Sequence, residues 1–506
     1  TGDLDVDRVA EGLTNAGLKV EAVHREGAGF HGVVVGEVRS VDPHPRAERL
    51  VLVEADVGAD ELLHIVCGAR NFAKGDRVPV AVVGATLPGD FTISERVVMG
   101  KTSHGMLCSG RELGVGEDHS GILVLPADAP LGAPVGDVLG LGEVVLEIEV
   151  TPNRPDAMSL LGIAREVAAF TGGELRPPAP ELREGGDPVE ALASVAIEDL
   201  EGCPRYLAMV LGEVDGGAAS PELAQRRLVA AGVRPVSAVV DATNYALLVT
   251  GHPMHAFDLD RLGGKRIVVR RAAPGERLTT IDGTDRELDP ADLVIADASQ
   301  PVALAGIMGG SDSEVSESTT RVLLESAYFD PASVLRTSKR HGLRSEASAR
   351  FERGADPNGV ADAARLAAAL IQEWAGGVVA PGSIDVYPSP VLSRTVTLRP
   401  ERVRLLLGLD LATGDMVGAL ERLGFGASDD GGVITATVPT RRPDVTGEED
   451  LVEEIARHVG FDRIPSRVPR GLPEGGSLTR EQQLLRVVRG LLVGGGLWEA
   501  YTSSLI

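Results

Sequence analysis

The sequence is short of aromatic residues, at 3%, and carries only three cysteines and two tryptophans. Its cores must therefore be mostly aliphatic. Cys67, Cys108 and Cys203 lie far apart and form no CxxC pair, which excludes a zinc ribbon or a disulfide framework. Such cysteine usage fits a reducing compartment, and a cytoplasmic protein is expected. No run of about 18 uncharged apolar residues occurs, so no membrane-spanning helix is expected, and the start lacks a secretory signal pattern. Basic charge is also short: 49 Lys+Arg stand against 74 Asp+Glu, a net charge of −25. On its own this argues against nucleic-acid binding, because phosphate contacts draw on Lys and Arg.

What is present is ample. At roughly 150 residues per domain, the 506 residues suggest three or four domains. The 62 glycines and 31 prolines fit many short strands joined by tight turns. Val6, Val9, Leu13 and Leu18 predict a first helix, followed by a strand at 19–24. Residues 32–38, 50–54, 63–66 and 78–83 read as short strands of a barrel or sandwich. A Pro/Glu/Gly-rich stretch, 176–188, reads as a linker. A helix is expected over 221–231, with Ser220 as N-cap, Pro221 at the first position and Gly232 at the end. Another is expected over 360–375, ended by Gly376. After Pro388-Ser-Pro390 a smaller α+β domain follows, and a further helix begins near Ser477. The chain begins at Thr1 without Met and stops at Ile506, and both ends read as cut or ordering limits.

Acidic residues cluster late in the chain. Thr446 and Glu449 have capping-box spacing, and helical periodicity puts Asp450, Glu453 and Glu454 on one face. On spacing alone this is either a solvated acidic first turn or a hard-cation site. His255, flanked by Met254 and Ala256, reads by itself as a packed core residue. Glu325, closing the strand-like run 321–325, reads as an exposed charge. Arg234 reads as a surface residue at a helix exit. Gly306, Gly309 and Gly310 allow close backbone approach and free N–H groups, or simply a tight loop.

Four ordered groups of motifs resemble one family. The first is Pro43-His-Pro45, Cys67-Gly-Ala-Arg-Asn71 and Lys101-Thr-Ser-His-Gly-Met-Leu-Cys-Ser109. The second is Thr151-Pro-Asn-Arg-Pro-Asp156 with Leu161-Gly-Ile-Ala-Arg-Glu166. The third runs through Val240-Asp-Ala-Thr-Asn-Tyr245, His252-Pro-Met-His-Ala-Phe-Asp258, Leu304-Ala-Gly-Ile-Met-Gly-Gly310, Leu324-Glu-Ser-Ala327 and His341-Gly-Leu-Arg-Ser-Glu-Ala-Ser348. The fourth is Arg441-Arg-Pro-Asp444, Glu449-Asp-Leu-Val-Glu-Glu-Ile455 and Gly460-Phe-Asp-Arg-Ile-Pro465. Together they resemble the bacterial phenylalanyl-tRNA synthetase β-subunit family, C-terminally truncated.

The resemblance implies a multidomain α+β protein. An N-terminal α/β domain (1–30 and 143–190) would hold an inserted OB-type β-barrel tRNA-binding domain (31–142). A mixed α/β editing module (191–390), a small α+β domain with a Mg²⁺ site (391–470) and the start of an inactive synthetase-like fold (471–506) would follow. It also implies an α2β2 heterotetramer, with ATP consumed by α-subunit chemistry, tRNA(Phe) as partner and no membrane. In that family an editing pocket hydrolyses Tyr-tRNA(Phe). The matching positions are His255, Glu325, Ser345, Ala347 and Arg234 at the chemistry, with Gly306, Gly309, Gly310 and Asn244 binding substrate. Asp444, Asp450, Glu453 and Glu454 match Mg²⁺ positions. Ser345 departs from the Thr often found there, keeping the hydroxyl and losing the methyl. Water, helped by the tRNA's terminal hydroxyls, would be the attacking group. The other class of reading is a non-catalytic RNA-binding or scaffold protein.

Overall fold

The computed structural model describes residues 5–25, 29–89, 91–115, 120–140, 143–466 and 476–502. Two compact units, Thr1–Phe461 and Asp462–Ile506, make up the chain. The first begins with the helix Val6–Asn15, whose Leu13 is buried against Leu18 and Ala157. The strand Lys19–Arg25 pairs antiparallel with Val144–Glu149, more than a hundred residues on. The chain between them forms a β-barrel-like sheet. Its strand order is Leu63–Cys67, Val51–Asp56, His31–Pro43, Arg77–Leu87, Phe91–Thr92. Burial alternates strictly along Val51–Asp56, as expected for a strand with one face on a core.

Two five-stranded sheets build the next region. In one, Arg205–Gly212 lies beside Arg321–Tyr328, which pairs in turn with Met254–Asp258. The other runs Ser194–Ile197, Arg266–Arg271, Leu293–Ala296, Pro301–Leu304, Met308–Gly309. Arg205–Gly212 is buried along nearly its whole length because both of its faces are covered. Tyr206, Ala208 and Val210 face the second sheet, joining Phe257 and Leu323 in one core. Leu207, Met209 and Leu211 face the helices Ala238–Thr250 and Val360–Trp374, packing with Ala242, Ala246, Ala367 and Ile371.

Ser237 caps Ala238–Thr250, and Gly251, at a φ of 76°, ends it. The expected cap of the preceding helix differs. That helix spans Glu222–Ala230 with Pro221 as N-cap. Ser220 instead donates its hydroxyl to the buried Asp241 carboxylate at 2.6 Å, a bond to a charged acceptor that outcompetes a backbone cap.

The small domain sets a three-stranded sheet, Arg394–Leu398, Ile434–Val438, Gly426–Asp429, against the helices Pro400–Leu407, Thr413–Arg422 and Glu448–Val459. The last helix starts one residue later than the capping-box spacing suggests. Asp450, not Glu449, accepts from the backbone N–H groups of Thr446 and Gly447, both at 2.8 Å. The second unit contains the helix Arg480–Gly494, capped reciprocally by Thr479 and Gln482. Among the described residues no helix is long and apolar enough to cross a membrane, and all three cysteines are free and buried.

Candidate functional site

A cavity of about 340 Å³ opens in the two-sheet region. His255, Glu325, Ser345, Ala347, Asn244, Gly306 and Gly309 all line it. His255 and Glu325 are direct partners across antiparallel strands, so their side chains leave the same sheet face. The strand carrying Glu325 continues to Tyr328, which makes Glu325 a mid-strand residue, 5% exposed, rather than the surface charge its local sequence suggests.

Nothing cationic compensates that carboxyl. Among the described residues, no Lys or Arg lines the cavity. Burial pushes the Glu325 pKa up to about 8, and a hydrogen bond from Tyr206 pulls it partly back. The Tyr206 phenol donates to Glu325 Oε2 at 2.8 Å. Burial and the neighbouring carboxyl hold the Tyr206 pKa well above its ordinary value, so the phenol keeps its proton and is the donor.

His255 stacks edge-on against Phe257, ring centroids 4.5 Å apart. Its buried Nε2 has no hydrogen-bond partner. Burial lowers its pKa to about 4, so the ring is neutral near pH 7 and one nitrogen can accept a proton. Gly309 makes room for it: a Cβ there would sit 2.6 Å from the ring's Cε1. At Gly306 a Cβ would meet the Phe329 and Phe351 rings at 3.0 Å, on a backbone with φ at +70°.

Ser345 caps the helix Glu346–Phe351, accepting from Ser348 N–H while donating to the Ile307 carbonyl at 2.8 Å. Its hydroxyl is thus committed to holding the wall that carries Ala347. Two expected residues stand apart. Arg234 is exposed and does not line the cavity. Gly310 lies outside the lining too, and its N–H is not free but bonded to the Val302 carbonyl at 2.7 Å. Tyr206 went unmarked in the sequence. The available signal was a tyrosine inside the apolar run Arg205–Gly212, where a buried hydroxyl requires a partner.

The expected Mg²⁺ carboxylates do not converge. Asp444 is gripped by Arg442 at 2.7 and 2.9 Å. Glu454, 2% exposed, is held by Arg442 and Arg457, both at 2.6 Å. Asp450 caps the helix, and Glu453 is exposed. Among the described residues no group of three or more His, Cys, Asp or Glu is arranged for a metal. As placed, these side chains do not fit a four-carboxylate Mg²⁺ site, because two of them neutralise buried arginines. Arg457 goes on to Glu166, which also accepts from Arg154 at 2.6 Å and pairs with His458. The motifs around residues 154–166 and 442–458 are thus two halves of one buried ionic network.

The barrel carries a groove of about 840 Å³, with Phe91, Arg111 and Glu112 on its walls.

The inserted barrel, the two-sheet module around a buried carboxyl and the small α+β domain each coincide with a domain family, one of them a tRNA synthetase domain. Residues 33–134 match the putative tRNA binding domain, 202–376 the B3/4 domain and 396–461 the tRNA synthetase B5 domain. The phenylalanine–tRNA ligase beta subunit of Anaeromyxobacter dehalogenans is 49% identical over 99% of this chain and 62% of its own length. Those of Geobacter sulfurreducens (47%, covering 100% and 63%) and Moorella thermoacetica (48%, covering 98% and 62%) are similarly close. Over nearly its whole length the chain is similar to phenylalanine–tRNA ligase beta subunits, and it spans 62% of the length of the first of these relatives.

Proposed function

We propose that this chain is the tRNA-binding and editing part of a phenylalanine–tRNA ligase, and that its two-sheet cavity hydrolyses tyrosine wrongly attached to tRNA(Phe). One observation carries the reading: a buried carboxyl, with no cation beside it, already accepts a phenol hydroxyl at 2.8 Å.

Tyrosine differs from phenylalanine by one hydroxyl, and a hydrophobic synthetic pocket rejects such an addition by only about 10²-fold. A second site that pairs with the hydroxyl reverses the preference. Phenylalanine entering it would strip water from Glu325 without replacing the hydrogen bond, at a cost of roughly 1–3 kcal/mol. Ala347 leaves space for the ring, and the neutral Nε2 of His255 faces the same cavity as a hydrogen-bond acceptor for water or the ester. Water adds to the ester carbonyl, the bond to the ribose oxygen breaks, and that oxygen leaves with a proton as the tRNA hydroxyl. No side chain here forms a covalent intermediate.

Aminoacylation itself, with ATP, is assigned to an α partner in an α2β2 assembly, and the compartment is the cytoplasm. A deacylation assay tests the reading. The complete protein should hydrolyse Tyr-tRNA(Phe) faster than Phe-tRNA(Phe), and Glu325→Ala should remove that difference. A parent protein inactive on both esters would refute it.

A further inference from the structure

The Glu325 carboxyl reaches the cavity, but the group that holds it does not. Glu325 lines the cavity; Tyr206 is absent from the lining and fully buried behind it. Tyr206 pairs with Ala327 on the neighbouring strand, two residues from Glu325 and on the same sheet face. Its hydroxyl therefore approaches the carboxyl from the core side. Among the described residues it is the only hydrogen-bond donor to Glu325, and it engages Oε2.

We propose that Tyr206 is a positioning residue for tyrosine selection: it occupies one oxygen of Glu325 from behind and thereby presents the other to the substrate phenol. This rests on the editing reading above. The internal phenol does two things. It fixes the carboxyl's rotamer, since a buried carboxyl with a single directional bond has one satisfied orientation. It also stabilises the ionised form, which is the stronger acceptor for a phenol. A substrate tyrosine would then add a second phenol to the same carboxylate.

The groups facing Glu325 make this donor count. Tyr206 and the buried Cys203 lie on the core side, His255 lies opposite on the adjacent strand, and Glu314 and Glu346 share the cavity wall. None of them is a cation at neutral pH, so no other described group supports the ionised carboxylate. Without Tyr206, desolvation acts on Glu325 unopposed, and ionisation moves to higher pH.

The test is Tyr206→Phe in the complete protein, with hydrolysis of Tyr-tRNA(Phe) and Phe-tRNA(Phe) followed from pH 6 to 9. The expected result is a fall of about tenfold in the Tyr/Phe ratio above pH 8, where the carboxyl is ionised, the size typical of a lost hydrogen bond to a charged group. The rise of that ratio with pH should also move to higher pH, while the Phe-ester rate stays put. In a Glu325→Gln background, which cannot ionise, Tyr206→Phe should shift no pH midpoint. An unchanged ratio and midpoint in Tyr206→Phe, with selectivity still lost in Glu325→Ala, would overturn the proposal and leave the editing reading standing. An equal loss on both esters that persists in Glu325→Gln would mark a general packing defect and overturn it as well. A parent without tyrosine preference would remove both.

Discussion

His255 and Glu325 face each other across adjacent antiparallel strands, and both open into one cavity. The pairing brings a neutral imidazole beside a carboxyl that burial keeps largely protonated at neutral pH. Two groups that burial moves in opposite directions are held at a fixed separation by backbone hydrogen bonds rather than by side-chain flexibility.

Gly309→Ala tests how closely that pair is fitted. The new Cβ would stand 2.6 Å from the His255 ring, below any normal contact, so the ring must move. Gly309 is not in the left-handed backbone region, so alanine adds no backbone strain. Editing should drop by roughly tenfold or more, since misplacement of about 1 Å at a catalytic centre can cost 10²-fold. The melting temperature should change by only a few degrees, a result that a melt and a deacylation assay check together.

Glu325 should cost stability at alkaline pH. Its folded pKa of about 8 lies above the ordinary value of 4.5, so the folded state holds a proton that the unfolded state has lost. Stability therefore falls as pH rises from about 4.5 to about 8. Glu325→Gln keeps a partner for Tyr206 and removes the buried charge. It should raise the melting temperature above the parent's at pH 8–9 and converge with it near pH 4, while selectivity is lost.

The histidines act at the other end of the scale. His252 and His255 both have pKa values lowered by burial to about 4, from 6.5. Their folded rings stay neutral while the unfolded rings take up protons below pH 6.5. Their contribution is complete above pH 6.5 and is lost as pH falls to about 4. His252→Gln should flatten that acid limb in a series of melts from pH 7 to 4.

Much of this arrangement was legible in the sequence, and its gaps have physical causes. Motif order brought together His255, Glu325, Ser345 and Ala347, residues 92 positions apart at the extremes that no periodicity connects. The helix at 360–374 follows from apolar spacing and a glycine end, whereas the helix at 238–250 was not marked. Tyr206 was missed because a hydroxyl's partner lies across a sheet, 119 residues away. The ion pairs of Glu454 went unforeseen because helical spacing reports which face a carboxylate occupies, not whether Arg442 and Arg457 wait on that face.

The acidic helix yields a contrast between neighbours. Glu454→Ala should destabilise by about 3 kcal/mol, because buried Arg442 and Arg457 would each lose one carboxylate partner and keep Asp444 and Glu166 respectively. Glu453→Ala, on the exposed side, should stay within about 0.5 kcal/mol of the parent. Urea denaturation distinguishes them directly.

Recognition of a phenol by the cavity runs through Glu325. A crystal structure of the complete protein with a non-hydrolysable tyrosyl ester of adenosine tests it most directly. The tyrosine ring should lie against Ala347, its hydroxyl within hydrogen-bond distance of Glu325, and the ester linkage beside His255. A ligand bound outside this cavity, or one whose hydroxyl points away from Glu325, would contradict it.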